Sequence, residues 1–400
     1  MVASFDLRHL SDEFYQDPYP TYHALRREAP VYPLPGGGFF VSSHALAKAV
    51  YRNTAHYSSD KQLQFASVFG EDSPLFEHHT TALVFRDPPL HTQVRRAIGN
   101  ALSQQMIAVV RGSLTNIVDK LLENLAEQGQ ADLIAEFAGA IPVEMIGNLL
   151  GIPADERGPL RDWSLAILRP LEVDVTQAQC RAGDQAVLDF VAYLTSLIHR
   201  VRTDQHPDDG GILSRLMNWR HAGQGLTPTE LYHQCIFLLN AGHETTANLI
   251  GNGIELLLRF PDQREALQQE PSLIEPAVEE ILRFESSNQL GNRTALKEVT
   301  LGDQAIPKDA IVTLGIGAAN RDPEVFQHPD KFNIRRRPNP HLSFGGGVHT
   351  CAGLHVARLE GQIALTALLN RFPNLALTEA PVRDHRARFR GFLALNAQLS

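Results

Sequence analysis

Cys351 stands near the end of the run Phe344-Gly345-Gly346-Gly347-Val348-His349-Thr350-Cys351-Ala352-Gly353, directly ahead of the helical pattern LHVARLEGQIALTALLNRF. A glycine-rich loop lets backbone approach a flat ligand. A cysteine just before a helix can receive backbone N–H bonds that stabilise its thiolate. That is how a thiolate ligand to iron is made, and three plainer readings stand beside it: a buried structural cysteine, a phosphate-binding loop, and a zinc site using Cys351 with His349 or His355. The phosphate reading lacks GxGxxG or GxxxxGK[ST] spacing. The zinc reading lacks a full ligand set, because no second Cys/His cluster has metal-ligand spacing.

A second stretch with chemical potential is Asn240-Ala241-Gly242-His243-Glu244-Thr245-Thr246, which interrupts an otherwise apolar helical pattern. Glycine inside a helix costs about 1 kcal/mol relative to alanine, and a carboxylate buried without partners costs more. Gly242 beside Glu244 and Thr245 makes a shallow notch with a proton source, suited to a small molecule bound at a metal. The alternative is a solvated polar turn or a Ser/Thr back-bonding kink. Third, Glu280-Ile281-Leu282-Arg283 lies on the helical pattern PAVEEILRF, so that Glu280 and Arg283 share a face. Alone, that spacing describes many solvated helix faces.

The elements that must carry these residues are also legible. Thr227-Pro228-Thr229-Glu230 has a capping hydroxyl, Pro at the first helical position and Glu at the third. A helix from Pro228 to Phe260, ended by Pro261, would be about 50 Å long and largely buried. Leu114, Ile117, Val118, Leu121, Leu122 and Leu125 form one stripe of an amphipathic helix. VYPLPGGGFFVSSH predicts a hairpin turning at Gly36 to Gly38, and TALKEVTLGDQAIPKDAIVTLGIGAAN predicts a small sheet. Residues 61–83 read as an irregular segment with apolar anchors at Leu63, Phe65, Phe69, Leu75 and Phe76.

Composition bounds the rest. An apolar fraction of 43% and a charged fraction of 20% suit an ordinary globular chain, and no repeat or linker divides the 400 residues, so one domain over 1–400 is expected. A net charge of −9 argues against a general nucleic-acid binder. The first twenty residues hold no long apolar run, which predicts neither secretion signal nor membrane anchor and hence a cytoplasmic protein. Cys180 and Cys235 have no partner spacing and read as packing residues.

Taken together, FGGGVHTCAG, AGHETT and EILR resemble the heme-binding loop, the oxygen-activating helix and the ExxR motif of the cytochrome P-450 family, in the family's order. His91-Thr92-Gln93-Val94-Arg95, after Asp87-Pro88-Pro89, is similar to the family helix that holds heme propionates. Arg293 occupies the place of another propionate partner, and residues 320–336 resemble the meander before the Cys loop. The resemblance implies a mainly α fold with a small β region, with heme b between the long central helix and the Cys-bearing loop. It implies Cys351 as the iron ligand; Ala241, Gly242, Phe344, Gly345 and Gly353 against the heme; and His91, Arg95, Arg293 and His349 on the propionates. Glu280 and Arg283 would hold the proximal fold.

By the same resemblance, Glu244 and Thr245 relay protons in dioxygen activation, and one oxygen atom enters a C–H bond of a small to medium, mainly apolar organic substrate. Phe65, Phe69, Asn240, Gln289, Leu290 and Phe392 fall in stretches similar to substrate-lining segments, although Asn240 and Gln289 are amides where local backbone bonding is the alternative. Electrons would come from a separate ferredoxin with its NAD(P)H-dependent reductase, or from a flavodoxin. Arg96, Arg335, Arg336, Arg337 and Arg358 are candidates for the docking face. Two rival functions share the loop: a heme-thiolate peroxygenase or isomerase, which an intact acid–alcohol pair weighs against, and a non-enzymatic heme-based sensor.

Overall fold

The computed structural model describes residues 5–203 and 211–400. Residues 1–4, part of the amino-terminal stretch in which no signal is expected, and 204–210 lie outside the described residues. The chain divides into two compact units, one of Met1–Ser58, Val118–Ala140 and Thr245–Ser400, the other of Ser59–Ile117 and Ile141–Glu244.

The first unit contains the sheets. Strands Val31–Pro33 and Phe39–Val41 form the expected hairpin, with Gly37 and Gly38 at φ 92° and 79°, a region costly for any residue with a Cβ. Phe39–Val41 then runs parallel to Ile311–Gly315, which pairs antiparallel with Leu290–Ala295, and Tyr57–Ser58 closes the edge. One core cluster packs Val41, Val50, Val312 and Leu314, and a second gathers Phe5, Phe14, Tyr22 and Phe40. Helices Ile274–Phe284 and Leu354–Arg371 belong to the same unit and carry the ExxR pair and the run after Cys351.

The helix Pro228–Arg259 has 32 residues, about 48 Å at 1.5 Å each. Its capping box forms as the sequence predicts: the Thr227 N–H donates to the Glu230 carboxylate at 3.0 Å, and the Glu230 N–H donates to the Thr227 hydroxyl at 3.1 Å. In helix Gln104–Gln128 the expected stripe is realised by Leu114, Val118, Leu122 and Leu125, all buried, with Ile117 and Leu121 half-buried at its margins.

Residues 61–83 depart from expectation, forming two short helices, Gln62–Phe69 and Pro74–Thr81. The Ser73 hydroxyl caps Leu75 and Phe76, and Asp184, 109 positions beyond Leu75, accepts from the Leu75 N–H at 3.0 Å and the Ser73 hydroxyl at 2.6 Å. Ser73 and Pro74 are a local helix start, and only the bonds from Asp184 come from far along the chain. Leu75 is fully buried, whereas Leu63 is 79% exposed and anchors nothing.

Candidate active site

In the first unit, the Cys351 N–H donates to the Phe344 carbonyl at 2.9 Å, folding the run between them into a tight loop. Gly345 and Gly347 both have φ +66°, and a Cβ on Gly347 would collide with the Tyr51 carbonyl, so glycine is required twice over. Cys351 is partly exposed and precedes the 18-residue helix Leu354–Arg371, whose first turn offers unbonded N–H groups. Phe344 is covered by the Arg358 guanidinium, 4.8 Å above its ring, and Arg358 is in turn paired with Glu279 at 2.7 and 2.8 Å. Burial alone would raise the Glu279 carboxyl, but hydrogen bonds from His341 and Arg358 hold it down at about 2.

Tyr51 joins the loop to Arg293. Its ring lies against Gly345 and Gly346, and the Arg293 guanidinium sits 5.1 Å over its face while donating to the Asn292 carbonyl. His349 belongs to the short helical turn Gly347–His349 on the same loop. In the second unit, His91 is buried and Arg95 half-buried, one turn apart on helix Leu90–Ala101.

On the long helix, Ala241 is exposed although Leu239 and Asn240 beside it are buried, and Thr245, one turn on, is partly exposed. Both lie in the middle of the helix, at the expected motif. Glu244 is buried. Gly242 does provide close approach, but to protein: a Cβ there would lie 3.0 Å from the Ile146 side chain, so its missing side chain admits helix Ala140–Leu150.

One acid on this site escaped the sequence reading. Glu360, on the helix after Cys351, is buried and accepts from the Thr246 hydroxyl at 3.4 Å, and burial, eased only slightly by that bond, pushes its carboxyl up to about 8. Its signal was present: Glu360 falls between Val356 and Ala364 on the buried stripe of that helix, where a charged residue is out of place.

The ExxR pair is fully buried, not solvated. Arg283 Nε and an Nη each donate to Glu280 at 2.8 Å, and Arg336 Nε, the Asn333 N–H and the Asn339 amide converge on the same carboxylate. Arg283 also donates to the Asn320 and Pro329 carbonyls, locking the segment that leads to the Cys loop. Of the candidate docking arginines, Arg336 is a structural partner of buried Glu280, while Arg335 pairs with Glu270 at 2.7 Å and Arg358 with Glu279. Arg96 and Arg337 are exposed.

Three expected substrate contacts are enclosed by protein. Gln289 donates to the Ser286 carbonyl at 2.8 Å and takes the local backbone role. Leu290 is 1% exposed and sits in the cluster of Phe5, Tyr22 and Phe40. Phe392 is buried beneath the Arg383 guanidinium, 3.9 Å from its ring. Phe65 and Phe69 stack at 5.3 Å, and Asn240 is buried against His78.

Among the described residues, no group of three or more His, Cys, Asp or Glu could hold a metal ion. In the first unit, the Cys351 thiol beside the close-approach glycines and the Tyr51–Arg293 contact fits a flat, anionic ring that carries its own metal. The glycine loop with Cys351 and the buried ExxR cluster, both in the first unit, mark a heme-thiolate protein.

Residues 175–396 match the family model described as cytochrome P-450. The chain is 33% identical over 383 residues to the polyketide biosynthesis cytochrome P-450 PksS of Bacillus subtilis (strain 168), covering 92% of each. It is 37% identical over 371 residues to the vitamin D(3) 25-hydroxylase of Pseudonocardia autotrophica, covering 92% of this chain and 89% of that one. The crystal structure of CalO2 superposes with a TM-score of 0.92 at 30% identity, covering 100% of this chain and 99% of that one. The chain belongs to the cytochrome P-450 family. It is a monooxygenase with heme b as cofactor, acting with dioxygen, a redox partner and an organic substrate. Among the described residues, no helix is long and apolar enough to cross a membrane.

Proposed function

We propose that Cys351 would hold the heme iron through its thiolate and that the chain hydroxylates a small to medium, mainly apolar substrate with electrons from a separate ferredoxin. The observation that carries this reading is the Cys351 thiol on its glycine loop ahead of an 18-residue helix. When bound, the heme supplies the redox centre at which dioxygen is split, one oxygen atom entering a C–H bond and the other leaving as water.

The protein's own residues have separable tasks. The N–H groups of the first turn after Gly353 and the helix dipole favour negative charge on Cys351 sulfur. By the family resemblance, His91, Arg95, Arg293 and His349 would each serve as a charge-assisted donor to a propionate. Glu244 carboxylate and Thr245 hydroxyl pass protons inward from the helix, and Glu360, protonated near neutrality and bonded to Thr246, holds a further proton in the buried interior.

The test is the reduced protein with carbon monoxide. Wild type should give the red-shifted Soret band of a thiolate-ligated complex and Cys351→Ala should lose it; a variant that kept the band would refute the ligand assignment. Turnover with a reconstituted ferredoxin chain then separates monooxygenase from peroxygenase, which would need only peroxide.

A further inference from the structure

Within the first unit, Tyr51 is packed between two stretches of chain that make room for it by having no side chain. It lies in the last turn of helix His44–Arg52, is 6% exposed, and reaches strand Leu290–Ala295, where a Cβ on Gly291 would collide with its hydroxyl. On its other side it meets the loop before Cys351. A Cβ on Gly346 would lie 3.3 Å from the Tyr51 Cβ, and one on Gly347 would collide with the Tyr51 carbonyl. Gly347, at φ +66°, needs glycine for its backbone as well, but Gly346 is extended at φ −168° and Gly291 lies in a regular strand. Neither of those two conformations asks for glycine, and glycine inside a strand weakens it. Their missing side chains serve the approach of Tyr51.

Gly291 and Arg293 stand two positions apart on that strand and so face the same side. The Arg293 guanidinium, on a residue 8% exposed, lies 5.1 Å over the Tyr51 ring and donates to the Asn292 carbonyl at 2.8 Å. An aromatic face attracts a guanidinium through its quadrupole, and more strongly away from water. Burial raises the Tyr51 phenol above its ordinary value, against the pull of Arg293 and Arg388, so the ring meets the cation uncharged. An aliphatic side chain would fill much of the same gap but give the guanidinium no face to rest on. The ring therefore does two things at once. It spaces the strand from the loop, and it fixes the guanidinium against that spacer.

Arg293 and Cys351 stand on separate stretches of chain, and Tyr51 touches both the strand of one and the loop of the other. A rigid ligand gripped at a thiolate and at a carboxylate needs its two holds at a fixed separation. Fixing them before the ligand arrives removes an ordering cost from binding.

We propose that Tyr51 is a positioning residue for the cofactor, a wedge that holds the propionate donor Arg293 in a fixed place relative to the Cys351 loop and so slows the loss of heme. The inference rests on the heme-thiolate reading above and adds a residue to it. It is tested on the ferric, heme-loaded protein by following heme transfer to excess apomyoglobin. Arg293→Leu should speed transfer about tenfold, a change of about 1.4 kcal/mol in the barrier. Tyr51→Leu should speed it by a similar factor, whereas Tyr51→Phe, which keeps the ring, should stay within about threefold of wild type. In the Arg293→Leu background, Tyr51→Leu should add less than about threefold, where two independent effects would multiply to about a hundredfold. Gly291→Ala should speed transfer by pushing the hydroxyl from its notch. Combining it with Tyr51→Phe should recover most of the loss, because the nearest remaining ring atom lies 3.2 Å from that Cβ. If Tyr51→Leu does not fold, Gly291→Ala with and without Tyr51→Phe decides the matter. The proposal is overturned if Tyr51→Leu keeps heme as wild type does, or if Tyr51→Phe is as damaging as Tyr51→Leu. It is overturned equally if Tyr51→Leu acts by the same factor with and without the Arg293 side chain, as a residue that only packed the core would, or if Tyr51→Phe fails to rescue Gly291→Ala. The Soret band of the reduced carbon monoxide complex is read in every preparation. Uncoupled rates with an intact thiolate band remove only the wedge, whereas a wild type without the band removes the functional reading.

Discussion

Glu360→Gln should change how stability depends on pH while leaving the fold intact. The wild-type carboxyl is buried beside Thr246, and burial raises it from an ordinary 4.5 to about 8. Folding therefore favours its protonated form. The stability this contributes is fully present below pH 4.5 and is lost as pH rises through about 8, because only the unfolded chain releases the proton across that interval. At about 1.4 kcal/mol per pH unit, the distance from 4.5 to about 8 bounds the loss near 5 kcal/mol, and any water that reaches the acid reduces it. Glutamine has the same shape, can still accept from the Thr246 hydroxyl and does not titrate. Urea unfolding of the heme-loaded wild type and variant at pH 5, 6, 7 and 8 gives the difference directly, and histidines common to both proteins cancel in it. Wild type should fall relative to Glu360→Gln by about 1 kcal/mol or more for each unit between pH 5 and 7. Parallel stability curves over that range would show that the acid is already ionised or hydrated, and would remove it as a proton store.

Thr245→Ala and Glu244→Gln should keep heme and ligand binding but release peroxide at the expense of product, measured as product formed per NADH; wild-type coupling in both would refute the relay. Arg336→Leu removes two charge-assisted bonds from the fully buried Glu280 and should cost about 1.5 to 3 kcal/mol in urea unfolding, an effect that a solvent-facing docking residue would not show. Leu290→Ala should lower stability by about 2 to 5 kcal/mol with ligand affinity unchanged, because its side chain packs in the cluster of Phe5 and Phe40; an affinity loss in a variant of normal stability would return it to the substrate wall.

The sequence by itself determined the features whose physics is local. The capping box at Thr227, the long helix from Pro228, the Gly37–Gly38 hairpin and the glycine loop before Cys351 each depend on residues a few positions apart, and each appears where the pattern puts it. Family membership followed from the same local runs taken in order. What only the tertiary structure decided is which polar side chains are enclosed and by what. The i,i+3 spacing of Glu280 and Arg283 is the same on a wet helix face as in a core, and Arg336 completes the pair from 56 positions away. Gln289, Leu290 and Phe392 fall in substrate-wall stretches by position along the chain, and only the fold shows their neighbours to be backbone, an aromatic core and a guanidinium. The same reason left the hold of Asp184 on the start of helix Pro74–Thr81 unreadable and kept His78 and Asn240 apart until the fold set them 3.4 Å from each other, 162 residues apart in the chain. Burial of a polar atom is a property of everything packed around it, and most of that packing comes from distant sequence.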